Sequence, residues 1–159
     1  MSAIKNILVP TDFSEASKAA LQYACQLADV LGASLSILHT VQAPYPASAY
    51  TEYHSLPQEF VERLEQEAMH GLGTALSADA QAKYRVRLVL RRGAAAPEIL
   101  AYLAEHDEVG LVVMATHGRG GVARLMMGSV TDRIVRSAPC PVLTLRVPDV
   151  EEAHGGRAA

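Results

Sequence analysis

Short β-rich runs alternate with helical patterns from one end of this chain to the other. Ile4 to Val9 is the first such run and ends at Pro10. From about Ser14 to Leu31, the apolar residues Leu21, Ala24, Leu27, Ala28 and Leu31 recur at three- and four-residue steps. That spacing marks one face of a helix, which Gly32 stops. Leu35 to Val41 reads as a second strand. Gln58 to about Ala78 reads as a second helix, weakened late by Gly71 and Gly73. In the third strand, Tyr84 to Leu90, Arg85 and Arg87 alternate with apolar residues, which suits a sheet edge. A third helix runs from Pro97, well placed in a first turn, to about His106. Leu111 to Ala115 is apolar throughout, as expected of a strand covered on both faces. Ser129 to Ser137 makes a fourth helix and Val142 to Val147 a fifth strand. This alternation predicts a single-domain α/β fold, an open parallel sheet with helices on both faces. The Pro- and Tyr-rich connection from Gln42 to Pro57 is either a flap or a binding loop. The tail from Pro148 is expected to be disordered.

Composition narrows the function classes. Half of the 159 residues are hydrophobic, enough for a real core. A net charge of −3 with no basic run gives no electrostatic reason to expect nucleic acid. The two cysteines, Cys25 and Cys140, have no CxxC or Cys/His spacing and read as small buried hydrophobes. The opening MSAIKNILVP lacks the long apolar core and cleavage site of a signal peptide. No apolar run approaches the ~20 residues of a membrane span. A cytoplasmic protein without a membrane partner is the expectation.

In parallel α/β sheets, ligands bind beyond the carboxyl ends of strands, where the strand order reverses. Two strand ends carry residues suited to ligand binding. One is Pro10-Thr11-Asp12, and the other is Thr116 to Ser129 with Gly118, Gly120, Gly121 and Gly128. Ser129-x-x-Asp132 reads as a helix cap close to a capping box. The N–H groups of that first turn suit a phosphate. Ser129 either caps only or also binds. The loop glycines either give flexibility or permit close backbone approach. They do not form a dinucleotide fingerprint, because Ala123 stands at the last glycine position and the loop follows the wrong strand. Gly-Lys-Ser/Thr is absent, so there is no P-loop. Arg119 and Arg124 either clamp phosphates or are solvated. Asp12 is either a turn residue or a carboxylate for ribose hydroxyls or a phosphate-bound metal. His39 and His117 lie near strand ends, but no Ser/His/Asp order or metal cluster emerges, and no catalytic residue is assigned.

The chain from about Ile4 to Val147 resembles the universal stress proteins. VPTDFSEAS looks like that family's first strand and loop, SILHTV its second strand, and GSVTDRIVRSAPCPVLTLRV its last helix and strand. The family's nucleotide motif is Gly, two residues, Gly, nine residues, then Gly-Ser/Thr. It falls here on Ala115-Thr116-His117-Gly118, nine residues, Gly128-Ser129. Alanine replaces the first glycine. Its methyl either crowds a ligand, or is harmless if φ is negative and the side chain turns away.

The resemblance implies a Rossmann-like sheet of order 3-2-1-4-5 over residues 1–147, followed by the tail 148–159. It implies ATP, with Mg²⁺ or Mn²⁺ as counter-charge, across the gap between strands 1 and 4. Asp12 would hold the ribose, with Pro10 and Thr11 as the adjoining wall. Thr40 would meet adenine through its backbone. Ala115 and Gly118 would line the phosphate channel, with Met114, His117 and Arg119 also among the nucleotide-binding positions, and Gly128, Ser129 and Val130 would take the phosphates. A stress-response regulator or sensor follows, with slow hydrolysis at most, and a homodimer paired through residues 142–147. Two alternatives stand beside it: a dimeric interaction module that binds no nucleotide, favoured by Ala115, and a slow metal-dependent ATP hydrolase.

Overall fold

The computed structural model describes residues 4–42, 58–116 and 128–146. Along them run β1 (Asn6–Pro10), α1 (Glu15–Leu31), β2 (Ser34–Val41), α2 (Gln58–Thr74) and α3 (Ala78–Lys83). These are followed by β3 (Arg87–Arg92), α4 (Ala95–Glu105), β4 (Val109–Ala115), α5 (Ser129–Ser137) and β5 (Val142–Leu145). The strands form one sheet in the order β3-β2-β1-β4-β5, and every neighbouring pair is parallel.

The period-two alternation of strand side chains sorts the core onto two faces. Ile7, Val9, Ile37, Val113 and Ala115 pack towards α1 and α2, meeting Ala24 and Leu72 among others. Leu8, Leu38, Val112 and Met114 pack towards α4 and α5, meeting Ile99 and Ile134. β1 is central, and Ile7, Leu8 and Val9 are fully buried because helices cover it on both sides.

Local chemistry sets the ends of α1. The Ser14 side chain accepts from Ser17 N–H at the start. Gly32 closes the helix at φ 65°, a left-handed conformation that glycine takes without steric cost. A buried polar relay fixes the register of β1 on β2. The Asn6 amide donates to Ser34 Oγ at 2.9 Å and accepts from Ser36 Oγ at 3.1 Å.

Several boundaries differ from the sequence expectation: β1 starts at Asn6, α4 at Ala95 and β4 at Val109, each two residues from the expected start, and β3 runs on to Arg92. The second helix does not continue to Ala78: α2 ends at Thr74, and Ser77 caps the separate helix α3 by accepting from Ala80 N–H. The third strand starts at Arg87 instead of Tyr84. Tyr84 is the C-cap of α3 and Arg85 sits at φ 47°, so the chain becomes extended only afterwards. β3 is nevertheless at the sheet edge, as its arginine alternation suggests. The described part of the last strand stops at Leu145, and Val147 and the tail 148–159 lie outside the described residues.

Candidate functional site

The sheet opens between β1 and β4. Their ladder pairs Asn6 with Val109, Ile7 with Leu111 and Leu8 with Val112, with Gly110 as the extra residue at the irregularity. Beyond Leu8 the two strands have no further pair. β1 continues with β2 as far as Pro10↔Leu38, and β4 continues with β5 as far as Ala115↔Leu145. Connections leave in opposite directions here, so the crevice is the switch point of the topology.

The β1 wall is the turn Pro10 to Ser14. Asp12 Oδ1 accepts from the Ser14 amide at 3.0 Å and from the Ser14 hydroxyl at 2.5 Å. Ser14 in turn caps α1. The turn reading of Asp12 therefore holds, and a carboxylate has lone pairs for further contacts besides. Thr11 Oγ1 accepts from the Phe13 amide at 3.1 Å and meets Ser17 Oγ at 3.1 Å. Ser17 gives its own hydroxyl proton to Ser14 O, so Thr11 is the donor of that pair.

β2 supplies the floor beside this turn. Thr11 N–H donates to Leu38 O at 2.8 Å, whereas Gly93 N–H, on the β3 side, donates to Val41 O at 3.0 Å. Strand alternation then turns the N–H and C=O of Thr40 towards β1, past the last β1–β2 pair. Sequence reasoning placed His39 near this end without a role. Its Nδ1 lies 2.7 Å from Thr11 O, and its ring stacks on Phe13 with centroids 4.3 Å apart.

The β4 wall leads into α5. Val112 and Thr116 donate their N–H groups to Pro141 O and Leu145 O on the β5 side. Ala115 C=O therefore faces the crevice side. The buried Thr131 hydroxyl donates to it at 2.9 Å. Gly128 N–H donates to Thr116 O at 2.8 Å, so α5 is tied to the strand end through backbone as well.

The capping expectation for Ser129 is corrected. Gly128 occupies the cap, with no side-chain hydrogen bond, and Ser129 is the exposed first helical residue. Asp132 does not reach back to the helix start, because it pairs with Arg136 one turn on, at 3.0 Å. The first helical bond runs from Asp132 N–H to Gly128 O at 2.9 Å. The N–H groups of Ser129, Val130 and Thr131 therefore have no acceptor within the helix. α1, by contrast, has its first turn capped by Ser14.

Ala115 belongs to the core packed against α1, and the residue is 8% exposed. Its φ is not among the positive values, which outside glycine occur at Phe13 and Arg85 among the described residues. Met114 and Val130 direct their side chains into the opposite core, so any ligand would meet their backbone. Pro10, Thr11 and Thr40 are half-buried at the rim. His117, Gly118 and Arg119, with Gly120, Gly121 and Arg124, lie outside the described residues. Sequence reasoning missed Thr131 and Phe13. A threonine two residues after Ser129 was visible, but the buried carbonyl it serves was not.

Among the described residues no group of three or more His, Cys, Asp or Glu is disposed to hold a metal ion. No described helix is long and apolar enough to cross a membrane. Cys25 and Cys140 are free, and burial raises both thiols above their ordinary value.

A family model of universal stress proteins matches residues 3–146. The chain belongs to the universal stress protein family. Universal stress protein MJ0531 of Methanocaldococcus jannaschii is 30% identical over 151 residues, covering 92% of this chain and 85% of that one. The structure of universal stress protein UspA from Lactobacillus plantarum superposes with a TM-score of 0.73 at 28% identity, covering 92% and 100%. More distant members share the fold. One is an Arabidopsis thaliana family protein with AMP bound, at 15% identity and a TM-score of 0.60, covering 96% and 97%. Another is a universal stress protein in complex with cAMP, at 22% identity and a TM-score of 0.64, covering 91% and 98%.

Proposed function

We propose that this universal stress protein binds an adenine nucleotide, ATP, in the crevice between β1 and β4, and acts as a regulator or sensor in a stress response. The observation that carries this reading is the pairing of a divided sheet with a helix whose cap, Gly128, brings no side-chain hydrogen bond. The β1–β4 ladder stops at Leu8↔Val112, and the first turn of α5 stands at the end of the same strand. Three backbone N–H groups without helical acceptors, at the positive end of a helix dipole, suit phosphate oxygens. Thr40, on the opposite side, has a backbone donor and acceptor for an adenine edge. Asp12, fixed by Ser14, is the ribose acceptor. Pro10 and Thr11 form its wall, and Met114, Ala115, His117, Gly118 and Arg119 the channel towards Gly128, Ser129 and Val130.

These residues fit the nucleotide chemically. The phosphates meet backbone dipoles, and Mg²⁺ or Mn²⁺ supplies counter-charge when bound. This reading expects slow hydrolysis at most. Ala115 favoured a nucleotide-free module in the sequence. With its methyl packed against α1, that objection loses its physical basis. The domain is taken as residues 1–147. A homodimer through the edge strand β5 fits its half-buried residues, which pair with β4 on one side.

Amide chemical shifts during an ATP titration test the location. Shifts centred on Thr40 and on Ser129 to Thr131 are expected. Shifts confined to the β3 or β5 edges would place the site elsewhere.

A further inference from the structure

We infer that His39 is the positioning residue of the nucleotide crevice: it holds the Thr11–Phe13 turn in its working geometry and keeps the Thr40 amide free for the ligand. This rests on the nucleotide reading above and assigns that site a determinant outside its contact residues.

Phe13 sits at φ 62°, a left-handed geometry that is uncommon for a bulky residue and needs a cause. Its ring is clamped from two sides. One side is the His39 ring. The other is Gly71 of α2, where even a Cβ would come within 2.8 Å of Phe13 Cζ. The strained residue directly follows Asp12, whose carboxylate is held by the Ser14 amide and hydroxyl in the same turn.

His39 also holds the backbone. A carbonyl can only accept, so the 2.7 Å contact to Thr11 O requires the proton on His39 Nδ1. In a continuing parallel ladder, Thr11 O would take the Thr40 N–H, just as Leu38 O takes the Thr11 N–H. The imidazole is the donor that this carbonyl receives from β2 in the structure. That bond, from the side chain of one β2 residue, stands where the ladder would continue past Pro10↔Leu38, and the next residue's amide makes no ladder bond there. Among the described residues no bond from Thr40 N–H to Thr11 O replaces it.

Two variants separate the hydrogen bond from the ring. His39→Asn keeps a donor at the Nδ1 position, and His39→Leu keeps bulk without a donor. Calorimetric titration with ATP and Mg²⁺ is expected to show His39→Leu binding about tenfold more weakly, the effect of roughly one hydrogen bond. His39→Asn is expected to stay within about threefold of the unaltered protein, less than half of that free energy. Leu binding as tightly as the unaltered protein, or Asn binding no better than Leu, overturns the inference. The backbone is read independently by the HN–Hα coupling of Phe13. The positive φ should persist in His39→Asn and be lost in His39→Leu. If the unaltered protein binds no ATP, the nucleotide reading fails on its own, and this coupling still decides whether His39 sets the turn. A Phe13 coupling unchanged in His39→Leu contradicts it.

Discussion

The Thr131 hydroxyl donates to the Ala115 carbonyl at 2.9 Å, joining the first turn of α5 to the last residue of β4. The bond satisfies a carbonyl that the split sheet leaves without a strand partner, and it aims the helix N-terminus at the crevice. Thr131→Val preserves shape and removes the donor. It should cost about 1–3 kcal/mol in urea unfolding, because a buried acceptor is left unpaired. Nucleotide affinity should fall with it. An unchanged unfolding midpoint would show that the bond is not needed.

Gly71 and Gly73 lie two residues apart in α2 and should respond oppositely to alanine. At Gly73 a Cβ meets nothing within 4 Å, so Gly73→Ala should stabilise by up to about 1 kcal/mol through helix propensity. At Gly71 the added methyl would press on the Phe13 ring at 2.8 Å. Gly71→Ala should therefore lose that gain and destabilise by about 1 kcal/mol or more through overpacking. Thermal unfolding of the pair distinguishes these outcomes, and equal stabilisation would refute the Phe13 contact.

Restoring the family's glycine should not improve binding. The Ala115 methyl packs in the core and not in the crevice. Ala115→Gly should leave ATP affinity within about twofold and lower stability by about 1 kcal/mol, from lost burial and added chain entropy. A large gain in affinity would mean that the methyl crowds the ligand after all.

Surface ion pairs set a mild acid dependence. Lys83 holds the Asp29 carboxyl below its ordinary range, Arg92 does so for Glu65, and Arg91 for Glu105. A carboxylate depressed on folding contributes stability above its unfolded pKa, and that contribution is lost as pH falls through the lower folded value. The urea midpoint should thus be insensitive to these groups above about pH 5 and decline below about pH 4. Because the pairs are exposed, the decline should be small and should flatten in high salt. A midpoint that rises on acidification would contradict the assigned sign.

The sheet was legible because its core strands are apolar on both faces, as at Ile7 to Val9 and Val112 to Met114, and its helices keep a clean period. The break between α2 and α3 was not, since it depends on Ser77 capping a six-residue helix. The late start of β3 was hidden for a related reason: Arg85 adopts a left-handed turn that its residue type does not announce. At the crevice, Asp12, Gly128 and Ser129 stood out by pattern. Their hydrogen bonds did not, and Ser129 gave the cap to Gly128. Thr131 and His39 act on carbonyls 16 and 28 residues away, contacts that no local pattern encodes.

Calorimetric titration of the protein with ATP and Mg²⁺ beside a Gly128→Val variant tests whether the β1–β4 crevice binds ATP. Saturable binding at submillimolar ATP, abolished by a side chain at the cap of α5, is the predicted result. No binding to the unaltered protein at millimolar ATP, or equal affinity in Gly128→Val, would contradict it.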